Sequence, residues 1–574
     1  MSHEVQAAQF QKQIEAVVHW LDGAGSEFLT RVGARSGSSH IWEFDLQHPV
    51  LRGYTRVKLV LPRGFPALPP RIMVNRALCL LLPHVEGPGL VCLGNRTANA
   101  YDEPVQAVRD VLGAFQIFLD KCRDIAWVTD EFEREALAYW NRFCTGGGDT
   151  SMRRRVSRLF NAFGRAHMVA EGRVASYLNG RIALACSSNV DPNFLAQRHK
   201  LAHKTMEIGR ALFVPLPASI CWTPSSWPRT FSELAQLVKE SSDGAFNLGE
   251  WWAANPSQPP ARYVILTAEN AAYAYQLIEP VLRSCDGPKI VPREVTRMDP
   301  DWAIVRDQRL GGIEKRRKKR ILLLGCGSLG APLAIFLAKA GLQNLTLVDK
   351  EVLMPENVSR HPLGMRAVFH EKAAELAAQL NADIPGAVVK GHGAAAGDWI
   401  LSECRPGAFD LVIDCTGEES VRTFLSQVRE SIFRGTPIVH AWMEPFCAAS
   451  HTVLVDSDTV WPKDDPVLQI HVAEWHEDTE IVLPACNSGF HEYGPADASQ
   501  AAATTCECIL RVLDDERGLR SMVWSTVRSS AFFESLGVRV VPGPLVPQSD
   551  DSFHSVRLTR ELADVLSGRG RESC

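Results

Sequence analysis

The chain has 574 residues, more than one ordinary hydrophobic core accommodates, and three domains are expected of it. Apolar residues make up 46% and the net charge is only −5 with the signs well mixed, which fits a globular protein and gives no electrostatic case for nucleic acid as a main partner. The opening MSHEVQAAQF does not read as a signal peptide, no apolar run approaches the ~18 residues of a membrane span, and fifteen irregularly spaced cysteines read as free thiols, so a cytoplasmic location is expected.

Residues 4–22 carry helical apolar spacing. HIWEFDLQH and TRVKLVLP follow as short strands, then two Pro-rich loops, then helix-forming stretches from Pro104 to Cys122 and from Asp130 to Phe143. This α+β block closes at Thr145-Gly-Gly-Gly-Asp149, a flexible linker signal. The middle section is predicted to be a linker domain of some α/β character, with a helix in FSELAQLVKE and a strand followed by a helix in ARYVILTAENAAYAYQLIEP. A basic run, Lys315 to Arg320, then leads into ILLLGCGSLGAPLAIFLAKAGLQNLTLVDKE, which reads as strand, glycine turn, helix, strand. HEKAAELAAQLNAD adds a helix; LVIDC and TPIVHAW add strands. Such alternation predicts a parallel sheet wrapped by helices. The fold class expected is α/β multidomain, divided at 1–148, 149–290 and 291–574.

Gly325, Gly327 and Gly330 stand where a phosphate-binding loop belongs, after one strand and at the start of a helix. The first permits a tight turn, the second lets backbone N–H groups approach phosphate oxygens, and the third allows close helix–strand packing. Asp349 ends the second strand, 19 residues after Gly330, where a carboxylate can bind a ribose hydroxyl. On its own this fingerprint also suits a nicotinamide-dependent oxidoreductase. The run DKEVLMPENVSRHPLGMRAVFHEKAAELAAQL resembles instead the ThiF/MoeB/ubiquitin-activating (E1-type) adenylation family. Asn357 and Arg360 match its N-x-x-R segment, and Lys372 matches the lysine that opens its next helix. The resemblance implies a Rossmann-like domain that adenylates a C-terminal carboxylate with ATP and Mg2+. One departure concerns the family's Asp-Asn pair after the fourth strand, whose Asp helps hold Mg2+. Gly417 occupies the Asp position here, leaving Asp414 or Glu418 to take over. Arg306 or Arg309 could reach the phosphates across a homodimer.

Three cysteines lie in LPACNSGFHEYGPADASQAAATTCECILRVL. The same resemblance implies that Cys486, on a loop before the Ala-rich helix, attacks the acyl-adenylate and carries a thioester. Cys506 and Cys508 read as small buried packing residues. The C-E-C spacing is wrong for a paired zinc site, so no structural metal is expected.

The N-terminal block resembles the ubiquitin-conjugating (UBC, E2) fold in its strands, in Phe65-Pro66 and Pro69-Pro70, and in Gly89 to Leu93. That resemblance covers about residues 10–145 and implies that Cys92 is an acceptor thiol. The usual His-Pro-Asn motif is replaced by Pro83-His84-Val85-Glu86, so His84 either supports the tetrahedral intermediate or shapes the loop. The order conjugating-like, linker, activating-like resembles the fused E2–E1 enzymes of bacterial anti-phage CBASS systems. It implies that the conjugated protein is a cyclic-oligonucleotide synthase (CD-NTase), joined through its free C-terminus to a target amine. It also implies a homodimer through the adenylation domain. The alternatives are an enzyme for a stand-alone ubiquitin-like protein, the oxidoreductase, and a non-catalytic scaffold.

Overall fold

The structure, a computed structural model, describes residues 3–24, 30–32, 38–94, 101–146, 158–177, 181–201, 207–254, 261–279, 287–305, 313–476, 479–482, 489–514 and 520–568. Two compact units divide it, Met1–Met298 and Asp299–Cys574. Among the described residues no helix is long and apolar enough to cross a membrane.

The first unit opens with a five-stranded antiparallel sheet whose strands follow chain order: Thr30–Val32, Ser38–Asp45, Arg56–Pro62, Arg71–Met73 and Leu90–Val91. Alternation drives it: Val57, Leu59 and Leu61 are buried, while Lys58 reaches Glu43 at 3.3 Å on the other face. The helix Pro104–Lys121 buries Val108, Val111, Phe115 and Phe118, one stripe at helical spacing, in the same core. Val17 and Leu21 of the helix His3–Ala24 complete it. The helical stretch expected over 130–143 is two helices, Ile125–Arg134 and Ala136–Cys144, separated at Glu135.

The middle section, expected as a linker domain of some α/β character, folds as a closed barrel. Its seven strands run, around the barrel, Arg262–Thr267, Ala272–Ile278, Lys289–Arg297, Arg158–Asn161, Ile182–Ser187, Ala170–Tyr177 and Glu207–Pro215, the last pairing with the first. Residues two apart fill the same side. Ala183 and Ala185, Ala211 and Phe213, Tyr263 and Ile265, and Ala274 share one core. Val264, Leu266, Tyr273 and Tyr275 face a second core with Trp222, Trp227 and Trp251. The helix expected within ARYVILTAENAAYAYQLIEP is therefore a strand, paired in antiparallel register from Arg262↔Leu277 to Thr267↔Ala272. Trp140 of the preceding helix enters that second core and donates from Nε1 to the Arg293 carbonyl at 2.9 Å.

The second unit holds an eight-stranded sheet in the order Val388–His392, Asn344–Val348, Arg320–Leu324, Leu411–Asp414, Ile438–Met443, Ala449–Val455, Met522–Arg528, Ser555–Glu561. The first five strands are parallel and the rest antiparallel. Helices Gly330–Lys339, Lys372–Asp383 and Pro495–Asp514 cover one face; Ala396–Glu403 and Glu419–Val428 cover the other. Strand order reverses between Arg320–Leu324 and Leu411–Asp414. In such sheets the crevice at the carboxyl ends of those two strands is where ligands bind.

Candidate nucleotide and thiol sites

Gly325 follows the first strand with φ +84°, and a Cβ there would stand 2.9 Å from the Cys415 backbone. A Cβ at Gly330 would stand 1.9 Å from the Gly325 carbonyl oxygen, so the helix packs on its own loop. A Cβ at Gly327 would meet nothing within 4 Å. Space at that point lies outside the protein, in the crevice.

Two cavities meet there. One, of about 370 Å³, is lined by Gly325, Gly327, Asp349, Lys350, Glu351 and Glu418, with Ala394–Gly397 and Phe424 beyond. The other, of about 540 Å³, is lined by Gly327, Ser328, Arg360, Gly417, Trp442 to Phe446, His491 and Tyr493. Gly327, Cys415 and Thr416 belong to both.

Asp349 borders the first cavity, yet both its oxygens also hold the local backbone. Oδ2 accepts from the Cys326 N–H at 2.6 Å and Oδ1 from the Glu351 N–H at 2.7 Å. Lys350 bridges to Glu418 at 3.0 Å across the mouth, and that carboxylate raises the lysine's pKa. Arg360 lies 4.6 Å over the Tyr493 ring, in the second cavity, and Tyr493 Oη lies 2.7 Å from Ser328 Oγ.

Three other expected residues stand behind these walls. The Asn357 amide oxygen accepts from the Met354 N–H at 3.1 Å and fixes the turn before Arg360. Lys372 is buried and its Nζ reaches Glu351 Oε2 at 2.5 Å, so it acts on the first cavity through that carboxylate. Asp414 is 1% exposed. Its Oδ1 accepts from the Thr416 N–H at 3.0 Å and from Thr416 Oγ1 at 2.7 Å, and its Oδ2 lies 2.9 Å from His440 Nδ1. Burial pushes this carboxyl up, but the His440 and Thr416 bonds outweigh it and leave the pKa below the ordinary value. Asp414 thereby shapes the turn at Cys415 and Thr416, which line both cavities, and Gly417, which lines the second, has φ +71°.

The sequence reading missed two residues. His361, directly after Arg360, is buried and its Nε2 lies 2.7 Å from the Cys326 carbonyl oxygen inside the glycine loop. Glu444 lines the second cavity and accepts from His451, the Val472 N–H and Trp475 at 2.7 to 2.9 Å. Burial raises its pKa and those bonds, His451 first, bring it below the ordinary value. The available signal for His361 was its place directly after Arg360, and for Glu444 a charged group within an apolar run.

Among the described cysteines only Cys92 and Cys221 are exposed. Cys506 and Cys508 are buried in the helix Pro495–Asp514, and burial pushes their thiols up to about 12 and about 11. Cys92 sits just past the strand Leu90–Val91 and donates its N–H to the His84 carbonyl at 2.8 Å. His84 has φ +58°; its N–H donates to Tyr139 Oη at 2.6 Å and its Nε2 lies 3.0 Å from Glu131 Oε2. The loop is held further at Gly89, where a Cβ would stand 2.1 Å from the Val74 carbonyl oxygen. Cys486, Arg306 and Arg309 lie outside the described residues; on either side of Cys486, Val482 pairs with Gly489.

The family model described as "ThiF family" matches residues 302–508. The ATP-dependent ubiquitin transferase-like protein Cap2 of Pseudomonas aeruginosa is 33% identical over 162 residues, 28% of this chain and 28% of its own length. Its namesake in Enterobacter hormaechei is 35% identical over 106 residues, 18% of each chain. The adenylyltransferase and sulfurtransferase MOCS3 of Mus musculus is 32% identical over 161 residues, 27% of this chain and 34% of its own. The chain thus spans only a fraction of the length of the curated relatives it matches. Residues 302–508 thus match the ThiF family, in a chain similar to the ATP-dependent ubiquitin transferase-like protein Cap2.

Proposed function

We propose that this chain is an ATP-dependent protein-conjugating enzyme with an adenylating C-terminal domain (291–574), a spacer (149–290) and a ubiquitin-conjugating-like carrier domain (1–148). The observation that carries the reading is the meeting of two cavities at Gly327, Cys415 and Thr416, which suits a reaction joining a nucleotide to a second molecule. The names of the similar proteins support the same chemistry. ATP occupies the first cavity, its phosphates against the open face of Gly327. A partner protein's C-terminus enters the second. Its carboxylate oxygen attacks the α-phosphorus and expels pyrophosphate, with Arg360 supplying positive charge where charge builds. Lys372 holds Glu351 in place. The exposed carboxylates fit Mg2+, which takes one or two protein oxygens together with phosphate; Glu418, in the cavity wall, suits this better than the fully bonded Asp414.

A carboxylate resists attack until AMP makes it a good electrophile. The Cys486 thiolate then attacks the acyl carbon and releases AMP. Cys92 takes the acyl group by transthioesterification, regenerating the Cys486 thiol. A target amine attacks the Cys92 thioester, forming an amide and freeing that thiol. The exposure of Cys92 supports its place in this relay. The closeness of His491 and Tyr493 to the second cavity supports a thiol on the segment preceding them. The partner is a CD-NTase, and the enzyme works as a homodimer through its adenylation domain. The test is intact-mass analysis after incubation with Mg·ATP and a CD-NTase or, in parallel, a small ubiquitin-like protein. A thiol-sensitive adduct with the first and not the second is expected. Absence of any adduct, together with absence of ATP–pyrophosphate exchange, overturns the reading.

A further inference from the structure

The glycine loop is oriented by two side chains that hold consecutive peptide groups. Asp349 accepts the Cys326 N–H at 2.6 Å, and His361 takes the Cys326 carbonyl at 2.7 Å. The tautomer follows from the other ring nitrogen. The Leu363 N–H donates to His361 Nδ1 at 3.1 Å, so Nδ1 carries no proton and Nε2–H is the donor to Cys326. In a trans peptide the N–H points opposite to the C=O. With the Cys326 carbonyl drawn toward His361, the Gly327 N–H is turned away from it, and Gly327 borders both cavities.

We propose that His361 is a positioning residue for phosphate binding. Through the Cys326 carbonyl it aims the Gly327 N–H at an anionic oxygen held where the two cavities meet, and it does so only as the neutral Nε2–H tautomer. The inference rests on the nucleotide reading of the first cavity. A second proton would fall on Nδ1 and face the Leu363 N–H, so protonation breaks the arrangement. The groups acting on the ring are Lys372 from the following helix, Asp349 from the end of the second strand, and the Cys326 carbonyl. Burial lowers the ring's pKa, Lys372 adds to that, and the Cys326 bond and Asp349 oppose it; the net direction is down. The neutral tautomer therefore prevails at neutral pH. It is lost as pH falls below the ordinary histidine range, and nucleotide affinity falls with it.

The experiment is calorimetric titration of the full chain with Mg·ATP from about pH 8 to about pH 5.5, for the parent, His361→Gln and His361→Leu. Glutamine keeps an N–H donor at the position of Nε2 but does not titrate; it should bind within about threefold of the parent at neutral pH and lose the acid weakening. Leucine should bind about tenfold or more weakly, the worth of one misdirected bond to a charged oxygen. Parent-like affinity in His361→Leu, or an unchanged acid limb in His361→Gln, overturns the proposal. If His361→Leu fails to fold, the pH profile of His361→Gln decides alone. ATP binding without pyrophosphate exchange overturns adenylation and leaves this inference standing, whereas a parent that binds no ATP overturns the nucleotide reading itself.

Discussion

Alanine at Gly327 and alanine at Gly330 should have opposite consequences although they lie three residues apart. At Gly330 the new Cβ stands 1.9 Å from the Gly325 carbonyl oxygen and 3.2 Å from Cys415 Cβ. The Gly325 oxygen is a backbone atom that cannot step aside, and overpacking of that kind costs about 1–3 kcal/mol or more. At Gly327 the Cβ meets nothing within 4 Å, and the backbone is not left-handed. Replacing glycine where alanine fits stabilises by about 0.4–1 kcal/mol through the unfolded chain. For a unit of this size ~1 kcal/mol moves the melting temperature by roughly 2–4 °C. Calorimetric melting of the full chain, with and without Mg·ATP, reads both effects. Gly330→Ala should melt several degrees lower without ligand. Gly327→Ala should melt at or slightly above the parent, yet lose the rise that Mg·ATP produces, because its methyl occupies the approach of the phosphates. If Gly327→Ala keeps the full ATP-induced rise, or melts as low as Gly330→Ala, the assignment of this open face to the nucleotide is wrong.

Cys92→Ala should retain an adduct on Cys486 and lose transfer to a target amine, both read by intact mass; normal conjugation by this variant would dismantle the two-thiol relay. Asp414→Asn removes the buried carboxylate that accepts from Thr416 and pairs with His440, a loss of about 1.5–3 kcal/mol for hydrogen bonding to a charged group, measurable as a lower urea midpoint. Asp414's folded pKa lies below its unfolded value. Its contribution is therefore complete above the ordinary aspartate range and is lost as pH falls through the folded value, so the variant's deficit should shrink at low pH. A deficit that stays constant down to about pH 3 would exclude this linkage. Trp140→Ala should lower the melting temperature of the first unit, since deleting a fully buried tryptophan costs about 3–5 kcal/mol; a parent-like melt would mean the aromatic core tolerates the void.

The glycine loop was legible because three glycines, an apolar strand before and an acid after follow from local demands of a tight turn and a helix start, and the strand Arg320–Leu324 and helix Gly330–Lys339 fall there. Cys506 and Cys508 were legible as packing residues from their place in an Ala-rich helix. The barrel was not. Four alanines between 268 and 274 favour a helix locally, and only pairing with residues 262–267 and 289–297 makes 272–278 a strand. The place of Asp349 at the end of the second strand was legible, but its bonds to Cys326 and Glu351 depend on how the loop folds back, which spacing does not encode. His361 and Glu444 escaped because their partners, Cys326 and Trp475, are 35 and 31 residues away in the chain.

The seating of Trp140 in the barrel's aromatic core has a practical corollary for anyone dissecting the chain. The glycine run at 146–148 looks like the natural place to cut. A cut there would send the helix Ala136–Cys144 away with the N-terminal fragment, whose sheet core it does not share, and would strip Trp222, Trp227, Tyr273 and Tyr275 of their cover. Both halves would then carry bare aromatic surface and tend to aggregate. A severable barrel begins before Ala136, so the border of the structural module and the stretch of sequence that looks most like a joint are two different places.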